Sequence, residues 1–178
     1  MSLAPGELVA LAGMMGSGKS TVARILGRLL GRPVVSTDAR VEARAGKPIA
    51  AIFAEDGEAR FRALERAEVA ALRGPLVVDL GGGAFCDPAG AAHLLRAGRV
   101  VFLDVSAAEA ARRIGGQAHR PLAASWEPLL AARLPRYRRA SFAVEVDGLA
   151  PGAVARLIVD RLRAPSAAER RPWWEVER

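Results

Sequence analysis

Eight residues near the start of the chain, Gly13-Met14-Met15-Gly16-Ser17-Gly18-Lys19-Ser20, constrain its fold more than any other feature. They fit the pattern G-x-x-x-x-G-K-[ST] in full. The apolar run Leu8-Val9-Ala10-Leu11-Ala12 precedes them and has the composition of a strand buried on both faces. Lys19 to Leu30 follows as a helix, ended by Gly31 and Pro33. Strand, glycine turn and helix is the context this loop requires. Its successive backbone N–H groups curl around phosphate oxygens, and the helix N-terminus adds partial positive charge. Gly13, Gly16 and Gly18 keep Cβ atoms out of that approach. Lys19 is positioned to reach β- and γ-phosphates, and the Ser20 hydroxyl to ligate Mg²⁺, with Ser17 and Thr21 beside them. The loop predicts a nucleoside-triphosphate site. It does not choose the acceptor.

The rest of the chain alternates strands with helices. Strands are expected at 33–36, 76–80, 99–105 and 142–146. Helices are expected at 39–45, briefly at 48–54, at 56–73, from the Asp87-Pro88 cap to Ala97, and at 151–162. Ser106 and Glu109 form a capping box for another helix, ended by Gly115-Gly116. Residues 117–124 read as a loop, and 126–140 as a helix kinked or broken at Pro135. This pattern predicts a three-layer α/β/α fold, a parallel sheet with helices on both faces and ligands at the strands' C-terminal ends. Residues 1–163 form the expected domain, with 164–178, including Trp173 and Trp174, as a loosely held tail.

At 178 residues a single domain is expected, large enough for a proper core. One cysteine, Cys86, excludes an intramolecular disulfide and a Cys-rich zinc site. There is no apolar run of ~18 residues and no signal-peptide pattern, so a cytoplasmic, membrane-free protein is expected. The net charge is +7, and Lys19 and Lys47 are the only lysines among 26 basic residues. Seven arginines against Glu127 alone lie between Arg112 and Arg139. Such an excess suits an anionic ligand or a solvated basic face, and charge does not separate the two.

Three further groups carry chemistry. Gly81-Gly82-Gly83 ends a predicted strand and would let a ligand approach the backbone closely. Arg62 and Glu65 share a helix face at i and i+3, as a site pair or as a surface ion pair of well under ~1 kcal/mol. Arg133-Leu-Pro-Arg-Tyr137 and Arg120-Pro121-Leu122 place arginines beside a helix-breaking proline and in a loop that could close over a nucleotide.

Taken in order, these parts resemble the shikimate kinases. They are Gly13–Thr21, Thr37-Asp38, Ile49-Ala-Ala-Ile-Phe53, Asp56-Gly57-Glu58, Phe61-Arg62 with Glu65, Leu80-Gly81-Gly82-Gly83-Ala84, Arg120-Pro121-Leu122 and Arg133–Tyr137. The likeness runs from Gly13 to near Leu162. It implies a nucleoside-monophosphate-kinase-like fold with a five-stranded parallel sheet and a mobile lid at about 112–124. It implies phosphorylation of the shikimate 3-hydroxyl by ATP with Mg²⁺, in aromatic amino-acid biosynthesis. By the same resemblance, Asp38, Arg62, Gly81, Gly82, Gly83 and Arg133 bind shikimate, with Glu65 supporting Arg62. Lys19, Asp38 and Arg120 are catalytic, Arg120 as the lid arginine, and Arg113 falls near the adenine. Shikimate is then the partner of a monomer that binds no nucleic acid.

The chain departs from the family at two places. Ser36-Thr37-Asp38 stands where the family usually has Asp-Thr-Asp, so a carboxylate close to Mg²⁺ is missing. Asp79, two residues before Gly81, stands where other phosphate-loop enzymes place a metal-supporting Asp. Either the carboxylate has moved from the second strand to the third, or Ser36 holds a metal-bound water and Asp79 caps a turn. No arginine lies near Asp147-Gly148-Leu149, where some members carry one beside the adenine. The rival readings are another small-molecule kinase, a non-catalytic nucleotide binder marked by Ser36, and a nucleic-acid binder suggested by the charge.

Overall fold

The structure, a computed structural model, describes residues 3–114 and 123–164. Its centre is β1 (Leu8–Gly13), six residues that are all buried. A strand with no polar side chain can sit only between two neighbours and two covering layers. β3 (Val77–Asp79) pairs with it on one side and β4 (Gly98–Asp104) on the other, both parallel. β2 (Val34–Ser36) lies outside β3 and β5 (Phe142–Glu145) outside β4, giving the order β2-β3-β1-β4-β5. All five strands therefore point the same way, and Gly13, Ser36, Asp79 and Asp104 end at one edge of the sheet.

Helices cover both faces. α1 (Lys19–Leu30) packs against α8 (Pro151–Arg163). α4 (Gly57–Ala70) packs against α2 (Thr37–Ala45) and α5 (Pro88–Ala97). Glu68 of α4, itself buried, holds Arg40 and Arg44 of α2 at 2.7 and 2.8 Å, fixing the angle between the two helices. α6 (Ala107–Ile114) and α7 (Ala123–Tyr137) precede β5. Among the described residues no helix is long and apolar enough to cross a membrane.

Local signals set most boundaries. Gly31 ends α1 with φ 63°, its N–H donating to the Arg28 carbonyl. Asp87 caps α5 by accepting from Gly90 N at 2.7 Å. The long helix expected over 56–73 stops at Ala70, because Arg73 turns back to donate to the carbonyls of Ala70 and Leu72. The segment expected as a plain turn of helix at 48–54 is a short α3 (Ile49–Ala51) widening into a π-turn over Ile52–Asp56. The capping box is half formed. Ser106 accepts from Glu109 N at 3.2 Å, but the Glu109 carboxylate turns to Arg112 and Arg113, each at 2.7 Å, and Ser106 N donates to Asp147 instead. α7 runs unbroken through Pro135, which lies two residues from its end and so forfeits one terminal hydrogen bond. Residues 115–122 of the expected lid, Arg120 included, and 165–178 of the expected tail lie outside the described residues.

Candidate active site

The phosphate loop leaves β1 at Gly13 and enters α1 through Gly18, which caps the helix with φ 84°. Gly16 also has positive φ, and a Cβ there would lie 3.0 Å from Ala110 of α6. Glycine is thus required by backbone conformation and by the helix behind the loop. The buried Ser17 turns its hydroxyl inward to Met14 O at 2.8 Å, so its side chain holds the loop's shape. Ser20 and Thr21 stand in the first turn of α1. Lys19 Nζ donates to the carbonyls of Gly13 and Met14 at 2.9 and 3.2 Å. Burial strips its ammonium of water and lowers its pKa below the usual 10.5, opposed by the charges of Asp79 and then Asp38.

Arg113 closes the other side of the loop. Its Nη1 donates to Gly16 O at 3.3 Å and its Nη2 to Val146 O at 2.9 Å, while Glu109 holds Nε at 2.7 Å. The guanidinium therefore bridges the phosphate loop and the end of β5, the stretch where the sequence has no other arginine.

The three glycines after β3 form a wall. A Cβ on Gly81 would run into the Asp38 carboxylate and lie 3.1 Å from Glu65 Oε1. One on Gly82 would lie 3.2 Å from Arg133 Nη1. One on Gly83 would strike the Arg62 guanidinium. Each glycine makes room for a different charged side chain, drawn from α2, α4 and α7. Asp38, Arg62, Glu65 and Arg133, which are up to 95 residues apart in sequence, thus converge on one strand end.

Arg62 and Glu65 are not a surface pair. Arg62 Nη1 donates to Glu65 Oε2 at 2.7 Å, and Glu65 is only 3 % exposed. Its other oxygen, Oε1, is buried with no hydrogen-bond partner among the described residues and faces Gly81. Burial raises the Glu65 pKa above its ordinary value. Burial also raises that of Asp38, and the negative charge of Asp79 adds to the effect.

Two further side chains support the wall from behind. Thr37, fully buried, accepts from Gly81 N at 2.8 Å. Tyr137, also fully buried and stacked on Phe102 with centroids 4.8 Å apart, donates to Gly82 O at 2.7 Å. Sequence reasoning gives neither a role of its own. Tyr137 follows Arg133 by one helical turn, and that i, i+4 spacing is the available signal. Thr37 has none beyond its place before Asp38.

Ser20, Asp38 and Asp79 offer only oxygen donors around the phosphate loop, the donor set that suits a hard divalent cation. No group of three or more His, Cys, Asp or Glu that could hold a metal unaided occurs among the described residues. A cation here would be shared with nucleotide phosphates, as Mg²⁺ commonly is.

A family model described as shikimate kinase matches residues 15–163. A shikimate kinase of Mycobacterium avium is 46 % identical over 166 residues, covering 88 % of this chain and 94 % of its own. One from Mycobacterium tuberculosis is 45 % identical over 170 residues, covering 89 % and 95 %. Among solved structures, shikimate kinase from Acinetobacter baumannii in complex with shikimate superposes with a TM-score of 0.81 at 31 % identity, covering 88 % of this chain and 92 % of the other.

Proposed function

The chain belongs to the shikimate kinase family, and on that premise we propose how its own residues transfer the γ-phosphoryl group of ATP to the 3-hydroxyl of shikimate. The reading rests above all on the glycine wall, where Gly81, Gly82 and Gly83 each yield space to a charged group that suits a carboxylate-bearing polyol.

Arg62 and Arg133 pair with the shikimate carboxylate, each charge-assisted contact contributing roughly 1.5–3 kcal/mol. Glu65 holds Arg62 in its rotamer. Backbone groups of Gly81, Gly82 and Gly83 lie against the ring. Asp38 accepts a hydrogen bond from the 3-hydroxyl and takes its proton as the oxygen bonds to the γ-phosphorus. The bond from that phosphorus to the β-phosphate oxygen breaks, and ADP leaves. Lys19 exchanges its loop carbonyls for β- and γ-phosphate oxygens, and its burial makes each contact stronger than in water. Arg113 lies on the adenine side. Arg120, outside the described residues, is assigned to the transferring phosphoryl group by the family resemblance. The Ser20 hydroxyl would hold Mg²⁺, which would supply charge neutralisation to the nucleotide phosphates.

A cytoplasmic monomer that acts on a small molecule and binds no nucleic acid completes the reading. The test is ADP release by the purified protein with Mg²⁺ and ATP, with and without shikimate. Turnover that depends on shikimate supports it. Equal ADP release without shikimate, or turnover on gluconate instead, would overturn the substrate assignment.

A further inference from the structure

We propose that Asp79, at the end of β3, is the carboxylate that steadies the divalent cation of the bound nucleotide, a position taken over from the end of β2, where Ser36 stands. The proposal rests on the kinase reading and concerns only which strand carries the charge.

The sheet register carries it. Ser36 and Asp79 are Cα partners on adjacent parallel strands. Paired residues in a parallel ladder share a pleat phase, so their side chains leave on the same face, with strands about 4.8 Å apart. Asp79 is also the partner of Leu11, two residues before the glycine that opens the phosphate loop. A carboxylate moved from 36 to 79 therefore shifts by one strand toward the nucleotide loop and stays on the same edge.

The two side chains are differently engaged. Ser36 Oγ accepts from Ala39 N at 3.3 Å and so caps α2, with Asp38 in that helix's first turn. The Asp79 carboxylate has no hydrogen bond or ion pair among the described residues, although it is half-buried. Its backbone carbonyl accepts from Thr37 Oγ1 at 3.5 Å. Asp79 is nonetheless the foremost negative charge acting on the Lys19 ammonium, ahead of Asp38, and it acts on Asp38 as well. Its charge is thus felt at both the loop lysine and Asp38. Lys19 meanwhile spends its hydrogen bonds on loop carbonyls. The Arg62 guanidinium also acts on Asp38, and that of Arg133 on Lys19, so Asp79 is the carboxylate of this group left for a further positive charge. Mg²⁺ keeps several waters and takes one or two carboxylates along with phosphates, so Asp79 would act through those waters.

The probe is Mn²⁺, titrated into the protein with ADP and followed by electron paramagnetic resonance. Asp79→Asn should weaken Mn²⁺ binding to the protein–ADP complex by roughly 10–100-fold. Metal-free ADP binding, shikimate binding and melting temperature should change little. Adding Ser36→Asp to an Asp79→Ser background should recover most of the lost Mn²⁺ affinity. Unchanged Mn²⁺ affinity in Asp79→Asn would overturn the proposal. So would a loss that extends equally to metal-free ADP and shikimate, or one that Ser36→Asp does not recover. Calorimetry of ADP and shikimate on the unmutated protein without metal tests the kinase reading separately.

Discussion

The hydroxyl of Thr37 accepts a hydrogen bond from the backbone N–H of Gly81 at 2.8 Å, tying the residue before Asp38 to the first glycine of the wall. Thr37→Val would leave that buried N–H without a partner, at a cost of about 1–3 kcal/mol. Thr37→Ser keeps the oxygen and should recover most of it. Denaturant melts of the two variants, with kcat measured alongside, check this. Loss of activity with unchanged stability would argue that Thr37 does not anchor the wall.

Substituting the wall itself should strike substrate more than fold. Gly83→Ala must displace the Arg62 guanidinium, and Gly82→Ala presses on Arg133. In both cases what gives way is the far end of a flexible side chain, so melting should change little for Gly82→Ala and fall modestly for Gly83→Ala, which loosens Arg62 from the buried Glu65. The KM for shikimate should rise about 10–100-fold, the equivalent of one charge-assisted contact, while the KM for ATP stays near its original value. Equal changes in both constants would count against the wall as the shikimate site.

Tyr137→Phe removes the donor to Gly82 O, together with weaker contacts of the hydroxyl to Met14 Sδ and Arg133. An unpaired buried carbonyl costs about 1–3 kcal/mol, visible in urea unfolding. Burial pushes the Tyr137 phenol above its ordinary value, so the loss should be the same across the neutral pH range. A pH-dependent loss there would contradict a neutral, hydrogen-bonded phenol.

Asp38 sets activity against stability. Its folded pKa is raised above 3.8, by burial first and by Asp79 next. A raised folded value means a stabilising contribution that is complete below the unfolded value and lost as pH climbs through the folded one. At neutral pH the charged carboxylate is therefore a net cost. Asp38→Asn should raise the melting temperature at neutral pH, show no such gain well below pH 3.8, and reduce kcat by orders of magnitude. A neutral-pH melting temperature that falls would refute the sign.

Lys19→Met should abolish turnover while shikimate still binds, since Lys19 lies on the phosphate loop. Arg133→Ala should do the reverse, raising KM for shikimate far more than for ATP. Steady-state kinetics and calorimetry on the pair separate the two halves of the site.

Local chemistry makes part of this legible in the sequence alone. The phosphate loop and α1 read out to the residue, because glycine and capping signals act within a few positions. Arg62 and Glu65 are visible as a helix-face pair, but their burial is not, since α2 and the wall cover them. The run Gly81–Gly83 is conspicuous as a run. Which side chain each glycine admits depends on α2, α4 and α7 meeting at one strand end, and no local pattern encodes that. Ser36 and Asp79 are 43 residues apart, and only the strand order makes them neighbours.

α7 touches both halves of the site. Near its start the buried Trp126 donates from its indole N–H to Met15 O in the phosphate loop at 3.3 Å. Near its end lie Arg133 and Tyr137, against Gly82. One rod thus rests on the phosphate loop and on the glycine wall, and on the proposed reading any tilt of it is felt by both ligands. Thermodynamic reciprocity then makes the two ligands partners: whatever factor the nucleotide lends to shikimate affinity through this lever, shikimate returns to the nucleotide in equal measure.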